Sequence, residues 1–145
     1  MLLSGALVAL VLAAPASSAK TNVDSVVGSI SVGSQTVEMN AQDTRFGVRG
    51  TWAFVSGTSY AGEVTALLVD GQTAVACGTV TSSSNPAAVG QVFHQYVNDT
   101  GGKEQFDRSQ TFFYPAGTAC TAPAVYAAAG AGIVNTGGQW HVHDN

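Results

Sequence analysis

The sequence predicts an all-β fold: an antiparallel β-sandwich of about eight strands, with a small closed β-barrel as the alternative. Three observations carry that expectation. β-Branched and aromatic residues recur in short runs after residue 20, where helical periodicity is nearly absent. Gly, Asn, Asp and Ser separate these runs at close spacing, as tight turns require. No crossover helix is evident between them, so consecutive strands are expected to be antiparallel neighbours.

The elements follow in chain order. Residues 7–14 are apolar, Pro15 interrupts them, and Ala16-Ser17-Ser18-Ala19 places small residues where signal peptidase requires them. Residues 1–19 therefore read as a cleavable signal peptide, and 20–145 as a single domain of about 126 residues. The n-region is unusual, with no Lys or Arg before the apolar run. The alternative is retention of 1–19 as a membrane anchor or as the hydrophobic helix of a pilin-like subunit. Against it, the stretch is short of the ~20 apolar residues that span a bilayer and is broken by Pro15.

Strands are expected at 26–32, 35–39, 47–55, 62–69, 72–80, 90–98 and 104–114, with a weaker pair at 124–130 and 138–143. Asp70-Gly71 joins two alternating runs and supplies the positive φ values of a type I′ turn, so 62–80 reads as one hairpin. The loop at 98–102, Asn-Asp-Thr-Gly-Gly, joins a second hairpin. The stretches 82–86 and 115–123 read as irregular connectors.

Composition limits the partners. Apolar residues make up 46% of the chain and charged residues only 10%, far below the ~25% of an average protein, so charge-driven disorder is excluded. The net charge is −4 with no cluster of Lys or Arg. Nucleic acid and anionic membrane surfaces both need such clusters, so neither is expected as a partner. Cys77 and Cys120 are the only cysteines and lack metal-ligand spacing, so in an exported chain they are expected to form a disulfide.

Few side chains invite chemistry. His141 and His143 flank Val142 near the C-terminus, with Asp144 following and Trp140 before them. In a strand the two imidazoles share one face and could hold a metal with Asp144 or His94, but a strand end with its polar face in water needs no ligand and is the preferred reading. His94 could act as a general base, yet no nucleophile motif accompanies it, and a core-edge histidine is the preferred reading. Glu38, Asp43, Glu63, Asp99, Glu104 and Asp107 could supply a carboxylate pair, but spacing singles out no two of them. Lys103, Glu104, Asp107 and Arg108 read as a solvated face or as weak cross-strand ion pairs. No glycine segment has the strand-to-helix setting of a phosphate cradle, so no cofactor is expected.

Aromatic residues leave one opening. Tyr96, Tyr114 and Trp140 could form a stacking platform for a glycan or apolar ligand, whereas Trp52 alternates with Phe54 and reads as core. In Phe112-Phe113-Tyr114 at least one ring must meet a second surface. Asn98-Asp99-Thr100 is a glycosylation sequon.

These readings converge on a secreted or cell-surface, non-enzymatic β-domain acting as an envelope, host-interaction or self-assembling protein. Its N-terminal strand segment could add to a neighbour's sheet edge, although pairing within its own sheet is the commoner case. The alternatives are a small carbohydrate- or apolar-ligand-binding module and, further off, a histidine-based metal protein or hydrolase.

Overall fold

The computed structural model describes residues 23–101, 107–120, 133–134 and 137–145. The signal peptide expected at 1–19, the strand expected at 124–130 and the candidates Lys103 and Glu104 lie outside these residues.

The described chain is all-β and antiparallel. Its strands are β1 (Asp24–Val32), β2 (Gln35–Thr44), β3 (Gly47–Ser56), β4 (Thr58–Asp70), β5 (Thr73–Ser83), β6 (Val92–Asn98), β7 (Arg108–Tyr114), β8 (Ile133–Val134) and β9 (Gly137–His143). A single 3₁₀ turn, Pro86–Ala88, lies between β5 and β6 and is capped by the Asn85 side chain. The strands form one sheet in the order β8-β7-β6-β5-β4-β3-β2-β1-β9. In place of two separate sheets, one meander curls around the core, which is the barrel-like form of the expected architecture.

Closure follows from the connectivity. β8 pairs with β7, β9 pairs with β1, and only two residues separate β8 from β9. One stretch of chain thus touches both ends of the meander. Where β9 faces β6 and β7, carboxylates replace the backbone ladder. Asp107 Oδ2 accepts Trp140 N–H at 2.6 Å and Asp99 Oδ2 accepts Val142 N–H at 3.1 Å. Residues two apart direct their amides to the same edge, so these two aspartates cap successive donors of one strand edge.

Alternation builds the interior. In β2, Val37, Met39 and Ala41 are buried while Glu38, Asn40 and Gln42 are exposed; in β3, Trp52 and Phe54 are buried, with half-buried Ala53 between them and exposed Thr51 and Val55 on either side. These side chains join Val26, Ile30, Val64, Phe93, Val97 and Trp140 in one core cluster. Trp52 stacks on Phe93 with ring centroids 4.0 Å apart, and its indole N–H donates to Gln95 Oε1. Gln95 is fully buried but satisfied: its Oε1 also accepts from Thr111, and its amide donates to the Tyr96 carbonyl.

β5 and β6 depart from simple alternation. Residues 74–78 and 92–97 are buried on both faces, and Val75 and Tyr96 form a second, outer cluster with Ala66, Leu68 and Phe112. The Cys77–Cys120 disulfide lies on this outer face and fastens the segment after β7 to β5. An intramolecular disulfide fits an oxidising compartment. Among the described residues no helix is long and apolar enough to cross a membrane.

Two glycines allow the tight curl beside Phe93. A Cβ on Gly62 would stand 2.6 Å from the Thr79 carbonyl oxygen and 2.7 Å from the Phe93 ring, and one on Gly78 would collide with the Glu63 carbonyl. The register of β4 against β5 shifts at Ala61/Gly62 and again at Val64/Ala66, where bulges bend the pair.

Several expectations need correction. The 62–80 hairpin forms, but its central residues are Gly71 and Gln72, and only Gly71 has positive φ, at 58°. Positive φ at the first central position alone is the type II′ arrangement, not type I′. Asp107 belongs to no solvated face, being buried with 5% exposure. The N-terminal strand, by contrast, follows the favoured reading: β1 is paired on both edges within its own sheet, with β2 and β9.

Candidate functional site: a groove on the outer face of β1–β5

The residues singled out in the sequence do not converge. His141 and His143 share the outer, exposed face of β9, opposite Val27 and Ser25 of β1. Asp144, the expected third ligand, accepts the Gly71 N–H at 2.7 Å and so fastens the chain end to the β4–β5 turn. Among the described residues, no three His, Cys, Asp or Glu side chains gather as a metal would require.

His94 stands apart on the outer face of β6, between Cys77 of β5 and Phe112 of β7. It is buried, its ring lies 4.5 Å from that of Tyr114, and neither ring nitrogen has a hydrogen-bond partner. Burial penalises the charged imidazolium and lowers its pKa below the ordinary 6.5. Among the described residues, this enclosed imidazole packs against the Tyr114 ring.

The three aromatics proposed as a platform are also dispersed. Trp140 is wholly buried in the core, lying across from Gly28, and offers no face to a ligand. Tyr96 belongs to the outer cluster, and Tyr114 is half-buried against His94. The second surface that Phe112-Phe113-Tyr114 demanded is supplied by the protein itself. Phe113 turns inward onto Trp52, Phe54 and Tyr60, while Phe112 turns outward onto the second cluster. The sequon is engaged as well: the Asn98 amide donates to Thr73 Oγ1, and the Thr100 hydroxyl to Asp107.

The concavity that does form lies where spacing gave no warning. A depression of about 650 Å³ opens on the outer face of β1 to β5. Its floor is made by Ala53 and Ala61, paired across β3 and β4, and its walls carry Glu38, Asn40, Thr51 and Glu63. The register explains the shape: Glu38 lies beside Ala53 and Glu63 beside Thr51, so two alanines leave a hollow between longer neighbours. Val27 and Val55, 44% and 47% exposed, project from the same outer face of β1 and β3. Neither Glu38 nor Glu63 makes a side-chain hydrogen bond or ion pair with another described residue.

Both glutamates were candidates in the sequence; what sequence reasoning missed was that strand register would join them. It also passed over Arg45 and Phe46, the two turn residues between β2 and β3. Phe46 is 72% exposed, and the Arg45 guanidinium sits 4.6 Å from its ring centroid. Thr44 Oγ1 accepts the Phe46 N–H and donates to the Gly47 carbonyl, bracing this tip from both sides.

An open groove with two carboxylates unpaired among the described residues can attract a cation and seat a small apolar group on its alanine floor. Comparisons with known protein families, with curated proteins and with solved structures find no match for this chain.

Proposed function

We propose that this chain is an exported, non-enzymatic β-domain that works outside the cytoplasm through its outer surface, by associating with itself or with a protein partner. One observation carries the reading: the disulfide-bearing sheet holds two glutamates, unpaired among the described residues, around an open groove, with exposed valines on the same face. Exposed apolar side chains beside unpaired charge are features of recognition surfaces. The leader at 1–19 and the low charge of the chain agree with export.

Cell fractionation with N-terminal sequencing of the native protein tests the export claim. Extracellular or envelope-bound protein that begins at Lys20 and has no free thiol is the expected result. Protein recovered from the cytoplasm with both thiols reduced overturns it.

A further inference from the structure

The geometry points to a contact between two copies of this chain, in which the Arg45-Phe46 tip of one copy seats in the Glu38/Glu63 groove of the other. The inference rests on the surface-association reading above and names the partner and the site.

Both halves of the contact are on the page, and they are complementary. The tip presents a cation stacked on an aromatic ring, held by the Thr44 side chain and exposed at the end of a hairpin. The groove presents two unpaired carboxylates over an alanine floor. Phe46 covers the floor while the guanidinium reaches the acids, whose planar geometry suits bidentate pairing. A pre-stacked Arg-Phe pair has little rotamer freedom left to lose on docking, and a locked turn keeps the ordering cost low. The chain's own tip cannot fill its own groove. Glu38 lies seven residues before Arg45, which directly follows the end of β2, so the two are about 23 Å apart at roughly 3.3 Å per residue.

That separation also suggests how two copies fit. The tip ends the β2–β3 hairpin and the groove lies across that hairpin and its neighbour β4, so two copies with these hairpins laid antiparallel place each tip over the other's groove. The contact is then made twice around a two-fold axis.

Sedimentation of the purified native protein over a range of concentrations, against charge-reversed variants, tests the assignment. Concentration-dependent association is expected for the wild type. Arg45→Glu alone, and Glu38→Arg with Glu63→Arg together, should each weaken it at least about tenfold, because each sets like charges across the contact. Mixed in equal amounts, the two variants should regain wild-type affinity, since every tip then meets a groove of opposite sign. Phe46→Ser, which leaves the charges alone, should weaken association as well. Thermal unfolding checks that the variants fold. A wild type that stays monomeric, or a mixture no tighter than either variant alone, overturns the contact. Association unchanged in every variant also overturns it, while leaving the surface-association reading in place.

Discussion

Replacing Asp107 tests the closure of the sheet directly. This carboxylate is 5% exposed and accepts three hydrogen bonds: Trp140 N–H at 2.6 Å, Thr100 N–H at 3.0 Å and the Thr100 hydroxyl at 3.1 Å. Hydrogen bonds to a charged group contribute about 1.5–3 kcal/mol each, and a buried donor left unpaired costs about 1–3 kcal/mol. Asp107→Ala relieves the desolvation of one carboxylate but strands the buried Trp140 amide and frees the loop that Thr100 anchors. We expect a net loss of about 3–5 kcal/mol, the lost charge-assisted hydrogen bonds and the stranded donor less the relieved desolvation, out of the 5–15 kcal/mol typical of a domain. Asp107→Asn keeps an acceptor for Trp140 and should lose only about 1–2 kcal/mol. Urea unfolding measures both, and hydrogen exchange at the Trp140 and Val142 amides reports the seam locally, with protection falling first in the alanine variant. A loss below about 1 kcal/mol for Asp107→Ala, with those amides still protected, would refute the claim that carboxylates seal this edge.

Three further outcomes follow from the same packing. His94 has its pKa lowered by burial, so as the pH falls below about 6.5 the unfolded chain takes up a proton that the folded chain resists. Stability is therefore complete above that range and declines as the pH drops through the folded value; His94→Phe should abolish this slope in urea titrations between about pH 7 and pH 5, and a slope retained in the variant would assign it elsewhere. Cys77→Ser with Cys120→Ser should cost about 4 kcal/mol, the loop entropy of a 43-residue separation, measured by the shift in urea midpoint. Gly78→Ala should cost at least about 3 kcal/mol in thermal unfolding, because its Cβ meets the Glu63 carbonyl and lies 2.6 Å from Phe93 Cζ, whereas Gly137→Ala, with open space around it, should stay within about 1 kcal/mol.

Much of the strand pattern was legible because it depends on local alternation. Val37, Met39 and Ala41 in β2, and Trp52 with Phe54 in β3, announce a buried face by spacing alone. The Cys77–Cys120 pairing followed from there being two cysteines. What escaped notice depends on partners far away in the chain. Asp99 and Asp107 look like loop and surface acids until β9 arrives with two unpaired amides, 43 and 33 residues further on. β8 has only two residues, too few to show any period. Trp140 was open to a ligand-facing role because burial of a terminal strand is decided by its neighbour β1, which meets it at Gly28. The groove is a product of register: Glu38 and Glu63 flank one hollow only because β2, β3 and β4 align Ala53 with Ala61. No single segment contains that information.

The meeting of β1 with β9 has a consequence for the order of events in synthesis. The Asn145 backbone donates to Asp24 across 121 positions, and Asn145 also reaches the Val23 carbonyl. A nascent chain can zip its successive hairpins one after another, but its first strand gains a second neighbour only when residues 137–143 have been made. The β1–β9 pairing is thereby postponed until after the successive hairpins of the described sheet can form. The same proximity sets the two ends of the described domain side by side at one rim, so it can be spliced into a host protein, or its strands re-ordered by circular permutation, with little disturbance to the rest.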